Sequence, residues 1–429
     1  MEGTEILLVT GAIFVWGLIS ARLEHADLTA PVVFTVVGAV LAATGLVDTQ
    51  QAPETLKPLV EVTLVWVLFS DAARVRVQDL RQDTGRVVRL LAIGLPLSVL
   101  AGWGLATWLF PGMGLWLALL VGAALAPTDA ALGVPVVTNP VVPSRIRRLI
   151  TVESGLNDGI VTPVVMLALA GAASAEGIAN APGPGKALLE LAVGAAVGGA
   201  VGFGGGWLLR WARRRHWASE DFSGIAVLAL AIVAYGTALA LHGNGFVAAF
   251  CGGLAFGGAA GRRGPKELLF LEQAGGLVSL LVWLAFGAIA VPLMPDRIDA
   301  TIVLFAVLSL TVVRMAPVAL ALLGARLDRN SVLFVGWFGP RGLASLVFAL
   351  LALEELGPGA DEAVVVIGMT VFLSVIAHGV TAGPLATRYG RTAAASGPER
   401  GGPVPDVPVR GLPRRRAAAE PQEVAKREP

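Results

Sequence analysis

The stretch RRLITVESGLNDGIVTPVVML carries Glu153, Ser154, Asn157 and Asp158 within six positions. On a helix Ser154 lies one turn from Asp158 and Glu153 one turn from Asn157, on neighbouring stripes. One short segment thus offers carboxylate, hydroxyl and amide oxygens, the donors that hard cations prefer. Thr128 and Asp129 stand in LLVGAALAPTDAALGVPVV, between Pro127 and Pro135, and Arg341 stands in FGPRGLAS. The single cysteine, Cys251, and the scattered His25, His216, His242 and His378 argue against a zinc or copper site.

The elements that must position these residues follow from composition. Of 429 residues 55% are hydrophobic and 15% charged, with a mean hydropathy of +0.74. A soluble domain carries roughly a quarter charged residues, so a water-soluble globule, a disordered chain and a nucleic-acid binder are excluded. Runs of about 20 apolar residues suit membrane-spanning helices. Thirteen such runs are expected, near 5–20, 28–47, 56–73, 89–110, 115–137, 147–170, 188–209, 222–241, 245–258, 273–291, 300–323, 331–353 and 363–384. The first has no basic residues before it and reads as a retained span rather than a cleaved leader. Alternate loops differ in charge: Arg74 to Arg89, Arg145 to Arg148, Arg210 to Arg215, Arg262 to Lys266, and Arg326 with Arg329 fall on one side, whereas Lys57, Lys186 and Arg297 fall on the other. Basic loops stay in the cytoplasm, which predicts an outer amino terminus and a cytoplasmic carboxyl terminus. Arginine greatly outnumbers lysine beside abundant Ala and Gly, which suggests a bacterial plasma membrane.

Once loops and tail have their charges, seven remain inside spans: Glu61, Asp71, Asp129, Glu153, Asp158, Arg314 and Arg341. At about 1.5 Å rise per residue, Asp158 and Arg341 fall near the bilayer centre, with Asp129, Glu153 and Arg314 within roughly 3 to 8 Å of it. Five unpaired charges there would cost on the order of 15 kcal/mol on insertion scales, so they must pair, hydrate or bind an ion. Buried ion pairs that only hold helices together would explain two of the three central carboxylates. The surplus negative charge favours a proton or a monovalent cation. Glu61, in the outer part of its span, reads equally well as structural.

Proline and glycine interrupt two of these spans. Pro127 and Pro135 flank Asp129, and Gly339, Pro340 and Gly342 surround Arg341. Proline removes a helix donor, and the freed backbone is tolerated at mid-membrane only against protein or a watery cavity. Each interruption is central in a three-span unit, 89–170 and 300–384, and the odd number of spans from one to the other gives the units opposite orientations. Paired broken helices in inverted repeats mark the binding site of a secondary transporter.

APTDAA, ESGLNDG and GWFGPRGLAS, in this order and in these spans, resemble the signatures of the NhaP/NHE-type sodium/proton antiporters of the cation:proton antiporter superfamily, over about residues 5–390. The resemblance implies an all-α polytopic fold of about 13 transmembrane helices, with inverted repeats and two crossing broken helices. It implies a homodimer in the lipid bilayer, Na+ and H+ as transported substrates, no cofactor, no enzymatic reaction and no nucleic-acid partner. It divides the chain into interface helices (1–88), core helices (89–170), a linker helix with further interface helices (171–299) and core helices (300–388), the core moving like an elevator; residues 389–429, where Pro, Arg, Glu and Ala replace the apolar runs, read by composition as a disordered cytoplasmic tail. Asp158 takes the role of the ion- and proton-binding aspartate. Thr128, Asp129 and Ser154 take those of oxygen donors to Na+, and Asn157 marks the Asn-Asp branch associated with electroneutral exchange. Glu153 takes the role of a glutamate bridged to an arginine, for which Arg314 is the candidate.

Arg341 is expected to compensate charge at its broken helix, with Asp129 or Asp71 as partner. Asp71 loosely resembles an acid at the inner entrance, and a helix-end role is equally compatible with it. His378 reads as a satisfied core histidine rather than a proton relay. Li+ and K+ are alternative cations. A cation channel could use the same carboxylates. No intramembrane protease motif occurs, and the excess of central acids disfavours an organic-anion carrier.

Overall fold

The computed structural model describes residues 3–24, 28–46, 52–75, 83–178, 183–261, 264–294 and 297–395. Among them there are helices and no strands. In chain order these are α1 (Gly3–Glu24), α2 (Ala30–Ala43), α3 (Ala52–Arg74), α4 (Thr84–Arg89), α5 (Leu95–Leu109), α6 (Leu115–Ala124), α7 (Val134–Val137), α8 (Ser144–Ala175), α9 (Pro184–Arg214), α10 (Glu220–Ala240), α11 (Gly245–Ala259), α12 (Gly264–Ile289), α13 (Ala300–Leu310), α14 (Val312–Ala321), α15 (Arg329–Trp337), α16 (Leu343–Leu356) and α17 (Asp361–Ala395). Eight helical segments among the described residues are long and apolar enough to cross a membrane, and α2, α6 and α11 are apolar but shorter.

Two departures from plain helices have local causes, and one helix outruns its expected end. A π-helical turn, Leu90–Gly94, joins α4 to α5, next to Pro96, which contributes no N–H to the ladder. α13 and α14 meet at Thr311, with φ −105° and ψ −86°, where the Thr311 hydroxyl donates back to Val307 O at 2.6 Å. The last helix continues to Ala395, past the expected start of a tail at 389. Tyr389 holds these extra turns: its ring stacks on Phe334 at 4.1 Å, and its hydroxyl lies 2.7 Å from Ser331 Oγ. The rest of the expected tail lies outside the described residues, as do Arg76, Arg81, Arg262 and Arg263 of the basic loops.

Packing sorts the helices into two groups. In one, α2, α3 and α9–α12 meet almost backbone to backbone. A Cβ on Gly194, Gly198 or Gly202 of α9 would overlap the carbonyls of Asn244, Ala248 and Gly252. Gly253 of α11 meets Phe69 O of α3, and Gly38 of α2 meets Leu284 O of α12, in the same way. Small residues allow such approach where lipid removes the hydrophobic drive for association. In the other group, α4–α8 and α13–α17 surround the two interrupted spans. The groups touch through α3 and α12 against α16, and through α3, α9 and α11 against α8. α1 packs on α2, and its outward residues Leu7, Phe14 and Leu18 are 67–70% exposed.

The glycine column should be intolerant of any side chain. Gly202→Val should lower the melting temperature in detergent by several degrees, since overpacking costs about 1–3 kcal/mol. Gly199→Val, at a position with nothing within 4 Å, should leave it unchanged.

Candidate ion-binding site

α6 ends at Ala124 and α15 at Trp337, and the irregular segments that follow cross each other. Asp129 N donates to Pro340 O at 2.7 Å. The Asp129 carboxylate accepts from Ala131 N at 2.8 Å and from Leu343 N at 3.3 Å. Leu343 opens α16, so Asp129 places negative charge on the positive end of that half-helix. Conversely, Arg341 Nη1 donates to Ala126 O at 2.6 Å and Pro127 O at 2.9 Å, and Ser345 Oγ donates to Ala124 O at 2.6 Å. Ala124 closes α6 and the Ala126 and Pro127 carbonyls follow directly beyond it, so the guanidinium sits at the negative end of that half-helix. Each interrupted helix therefore caps the other with a charge of matching sign, an interaction worth up to about 2 kcal/mol per end when partly buried.

Arg341 is fully buried, and its partners differ from those expected. It makes no ion pair with a carboxylate among the described residues. Freed mid-membrane carbonyls need a donor more than Asp129 needs a cation, because Asp129 is already served by backbone amides. Gly342 makes this possible, since a Cβ there would collide with Asp129 Oδ2.

Glu153 and Arg314 form a two-pronged pair, Nη1 to Oε1 at 2.5 Å and Nη2 to Oε2 at 2.9 Å. Their side chains are 3% and 2% exposed, so neither charge is solvated and each depends on the other. Arg314 approaches the broken span over Gly339, whose absent Cβ would sit 2.5 Å from Arg314 Nε and 2.8 Å from Thr128 Cγ2.

Between these two charged structures lies a polar chain. Asn157 Nδ2 donates to Thr128 Oγ1 at 2.8 Å, and Thr128 Oγ1 lies 2.8 Å from Ser154 Oγ. Asn157 Oδ1 is buried with no hydrogen-bond partner among the described residues. Asp158, 7% exposed, follows Ser154 by one turn on the same helix, and its carbonyl accepts from Thr162 Oγ1 at 2.7 Å. Arg314 is engaged by Glu153 and Arg341 by carbonyls. The arrangement can offer oxygens to a small cation, and a carboxylate to either that cation or a proton.

The remaining expected residues lie further out. The Asp71 carbonyl of α3 sits beside Gly155 of α8, and its carboxylate is 4.0 Å from Arg74 Nη1, itself paired with Glu272 at 2.9 Å. Glu61 faces Tyr235 of α10. Sequence reasoning misses Ser345 and Ser374; the available signal is a small hydroxyl residue just after the GPRG break, and another a helical turn from His378.

Replacing Glu153 with Gln leaves Arg314 buried without a counter-charge, and should cost about 3–5 kcal/mol. This should appear as a marked fall in melting temperature in detergent. The double variant Glu153→Leu with Arg314→Met should recover most of it; unchanged melting of the single variant would count against the bridge.

Comparisons with known proteins agree on the class. The family model described as "Sodium/hydrogen exchanger, transmembrane" matches residues 8–388. The "K(+)/H(+) antiporter NhaP" of Alkalimonas amylolytica is 26% identical over 403 residues, covering 90% of this chain and 67% of that protein. The "Na(+)/H(+) antiporter ApNhaP" of Aphanothece halophytica is 25% identical over 341 residues, covering 75% of this chain and 63% of the relative. The "K(+)/H(+) antiporter NhaP2" of Shewanella sp. (strain MR-4) is 25% identical over 326 residues, and there the chain spans 55% of the relative's length. The structure of the sodium proton antiporter MjNhaP1 from Methanocaldococcus jannaschii superposes with a TM-score of 0.74 at 21% identity, covering 89% of this chain and 97% of that one; this likeness speaks for the fold. On the family match across most of its length, the chain belongs to the transmembrane sodium/hydrogen exchangers.

Proposed function

We propose that the protein is a secondary active antiporter that exchanges a monovalent cation for H+ across the bacterial plasma membrane, with Asp158 holding the two in alternation. The observation that carries this reading is the disposition of charge around α8. Glu153 is held by Arg314, and Asp158, one turn beyond Ser154, stands in a segment whose Ser154 and Asn157 join Thr128 in a row of neutral polar groups. Moving a bare carboxylate across the hydrocarbon is strongly disfavoured. Only the core neutralised by cation or proton crosses, and this couples the two fluxes. Thr128, Ser154 and Asn157 supply further oxygens to the ion. Asp129 acts chiefly through the crossed segments that it caps.

In this reading α4–α8 and α13–α17 form a core that slides as an elevator against α2, α3 and α9–α12, in a homodimer with an outer amino terminus and a cytoplasmic carboxyl terminus. Asn157 beside Asp158 favours electroneutral one-for-one exchange. Na+ is the first expected cation, and the name of the Aphanothece relative supports it. The names of the Alkalimonas and Shewanella relatives support a second reading, K+/H+ exchange at the same carboxylate.

Dye-monitored proton flux in proteoliposomes, with Na+, Li+ and K+ offered in turn and the membrane potential clamped, tests the reading. Asp158→Asn should reduce cation-dependent flux at least about 100-fold, and normal exchange by that variant would refute the assignment. Because a proton and the cation compete for one carboxylate, the apparent KM for the cation should rise as pH falls, by about tenfold per unit once Asp158 is mostly protonated. A KM independent of pH would contradict competition at one site, and sustained current without a proton gradient would favour a channel.

A further inference from the structure

In an uninterrupted helix, Arg341 N–H would donate to Trp337 O, four residues earlier. Here the two groups are parted, and side chains of α17 occupy the gap. Arg341 N donates to Ser374 Oγ at 2.7 Å. Ser374 Oγ lies 3.1 Å from His378 Nδ1. His378 Nε2 lies 2.9 Å from Trp337 O. Each ring nitrogen faces a carbonyl, Nε2 that of Trp337 and Nδ1 that of Ser374 at 2.8 Å; the neutral tautomer with its hydrogen on Nε2 donates to Trp337 O and leaves Nδ1 able to accept from the Ser374 hydroxyl. That hydroxyl in turn accepts from Arg341 N. Every donor in this row has an acceptor, and the row runs from one lip of the break to the other.

Other contacts keep the row in place. Ser374, His378 and Thr381 lie on one face of α17, at helical spacings of four and three. Trp337 Nε1 donates to Thr381 Oγ1 at 3.0 Å, and the Trp337 ring lies 5.2 Å from the His378 ring. Ser374, His378 and Arg341 are at most 2% exposed, so water offers no substitute partner. Inserting a side chain into the helix ladder is an established cause of a sharp break.

We propose that Ser374 and His378 are positioning residues for exchange: together they replace the hydrogen bond between Trp337 and Arg341, hold the α15–α16 break open, and so keep Arg341 on the carbonyls that end α6. The chain of consequence is short. Arg341 N and its guanidinium belong to one residue, and Pro340 O, one peptide earlier, receives Asp129 N. If the lips of the break shift, both crossing contacts shift, and with them Thr128. The role is independent of titration at His378. A protonated ring would turn Nδ1 to its other neighbour, Ser374 O at 2.8 Å, while Nε2 would donate to Trp337 O in both forms.

The test uses His378→Leu, His378→Gln and Ser374→Ala in the full chain. The proposal rests on the exchange reading for its transport readout, and a hydrogen-exchange measurement stands apart from it. Leucine fills the space without hydrogen bonds, whereas the glutamine amide carries an acceptor and a donor at nearly the separation of the two ring nitrogens. In proteoliposomes, His378→Leu and Ser374→Ala should raise the KM for the driving cation about tenfold, with much less change in kcat. His378→Gln should stay within about threefold of wild type and keep its pH profile. A wild-type KM in His378→Leu, or a pH profile displaced in His378→Gln as for a proton relay, would overturn the proposal. Should His378→Leu fail to fold, Ser374→Ala decides. In detergent, hydrogen exchange at the Arg341 amide should quicken at least about tenfold in Ser374→Ala, and an unchanged rate would overturn the proposal whatever the protein transports. Absence of cation-dependent flux in the wild type would defeat the exchange reading alone.

Discussion

A main chain interrupted inside hydrocarbon must find partners for its amides and carbonyls, because lipid supplies none. Two interruptions in this protein solve that problem for each other. Arg341 and Ser345 serve the carbonyls at the end of α6, and Asp129 serves the first amide of α16. The crossing is thereby more than a meeting of two irregular segments. Its charges have the signs that the half-helix dipoles demand, and neither segment could keep its shape without the other. Everything near the candidate site, from the place of Thr128 to the clearance over Gly339, follows from that mutual dependence.

The central charges divide by what they do. Glu153 and Arg314 neutralise each other with near-complete burial, an arrangement whose value lies in fixing α8 against α14 rather than in net energy. Asp129 and Arg341 are tied to the backbone of the crossing. Asp158, one helical turn beyond Ser154, belongs to the stretch of α8 whose Ser154 and Asn157 join Thr128 in a row of neutral polar groups. Neutral oxygens beside a carboxylate suit exchangeable occupancy, whereas the two-pronged grip between Glu153 and Arg314 suits permanence.

Much of this is legible in the residues. Most of the apolar runs fall on helix, and Pro127, Gly339, Pro340 and Gly342 mark the two stretches where the chain leaves it most fully. Glu153, Ser154, Asn157 and Asp158 announce themselves by polarity in an apolar setting. What escapes is the identity of backbone partners, although Arg314 is the expected partner of Glu153 and is found there. Pairing acids with bases suggests Asp129 or Asp71 for Arg341, but carbonyls released by a break carry no letter in the sequence and become acceptors only in three dimensions. The roles of Ser374 and His378 escape for the same reason, since their partners are backbone groups on another helix. The π-turn at Leu90–Gly94 and the bend at Thr311 likewise depend on how a ladder repairs itself around a missing or diverted bond.

The glycine columns carry a mechanical consequence. Where α9 meets α11, and α11 meets α3, one main chain lies directly on another, so an axial slip of even one residue, about 1.5 Å, would drive a neighbouring Cβ into a carbonyl. Such seams are keyed and cannot creep. Across α8 and α11 the close contact is made by a side chain instead, the ring of Phe250 filling the notch left by Gly159. The helices joined by the glycine seams are therefore held in one register along their length.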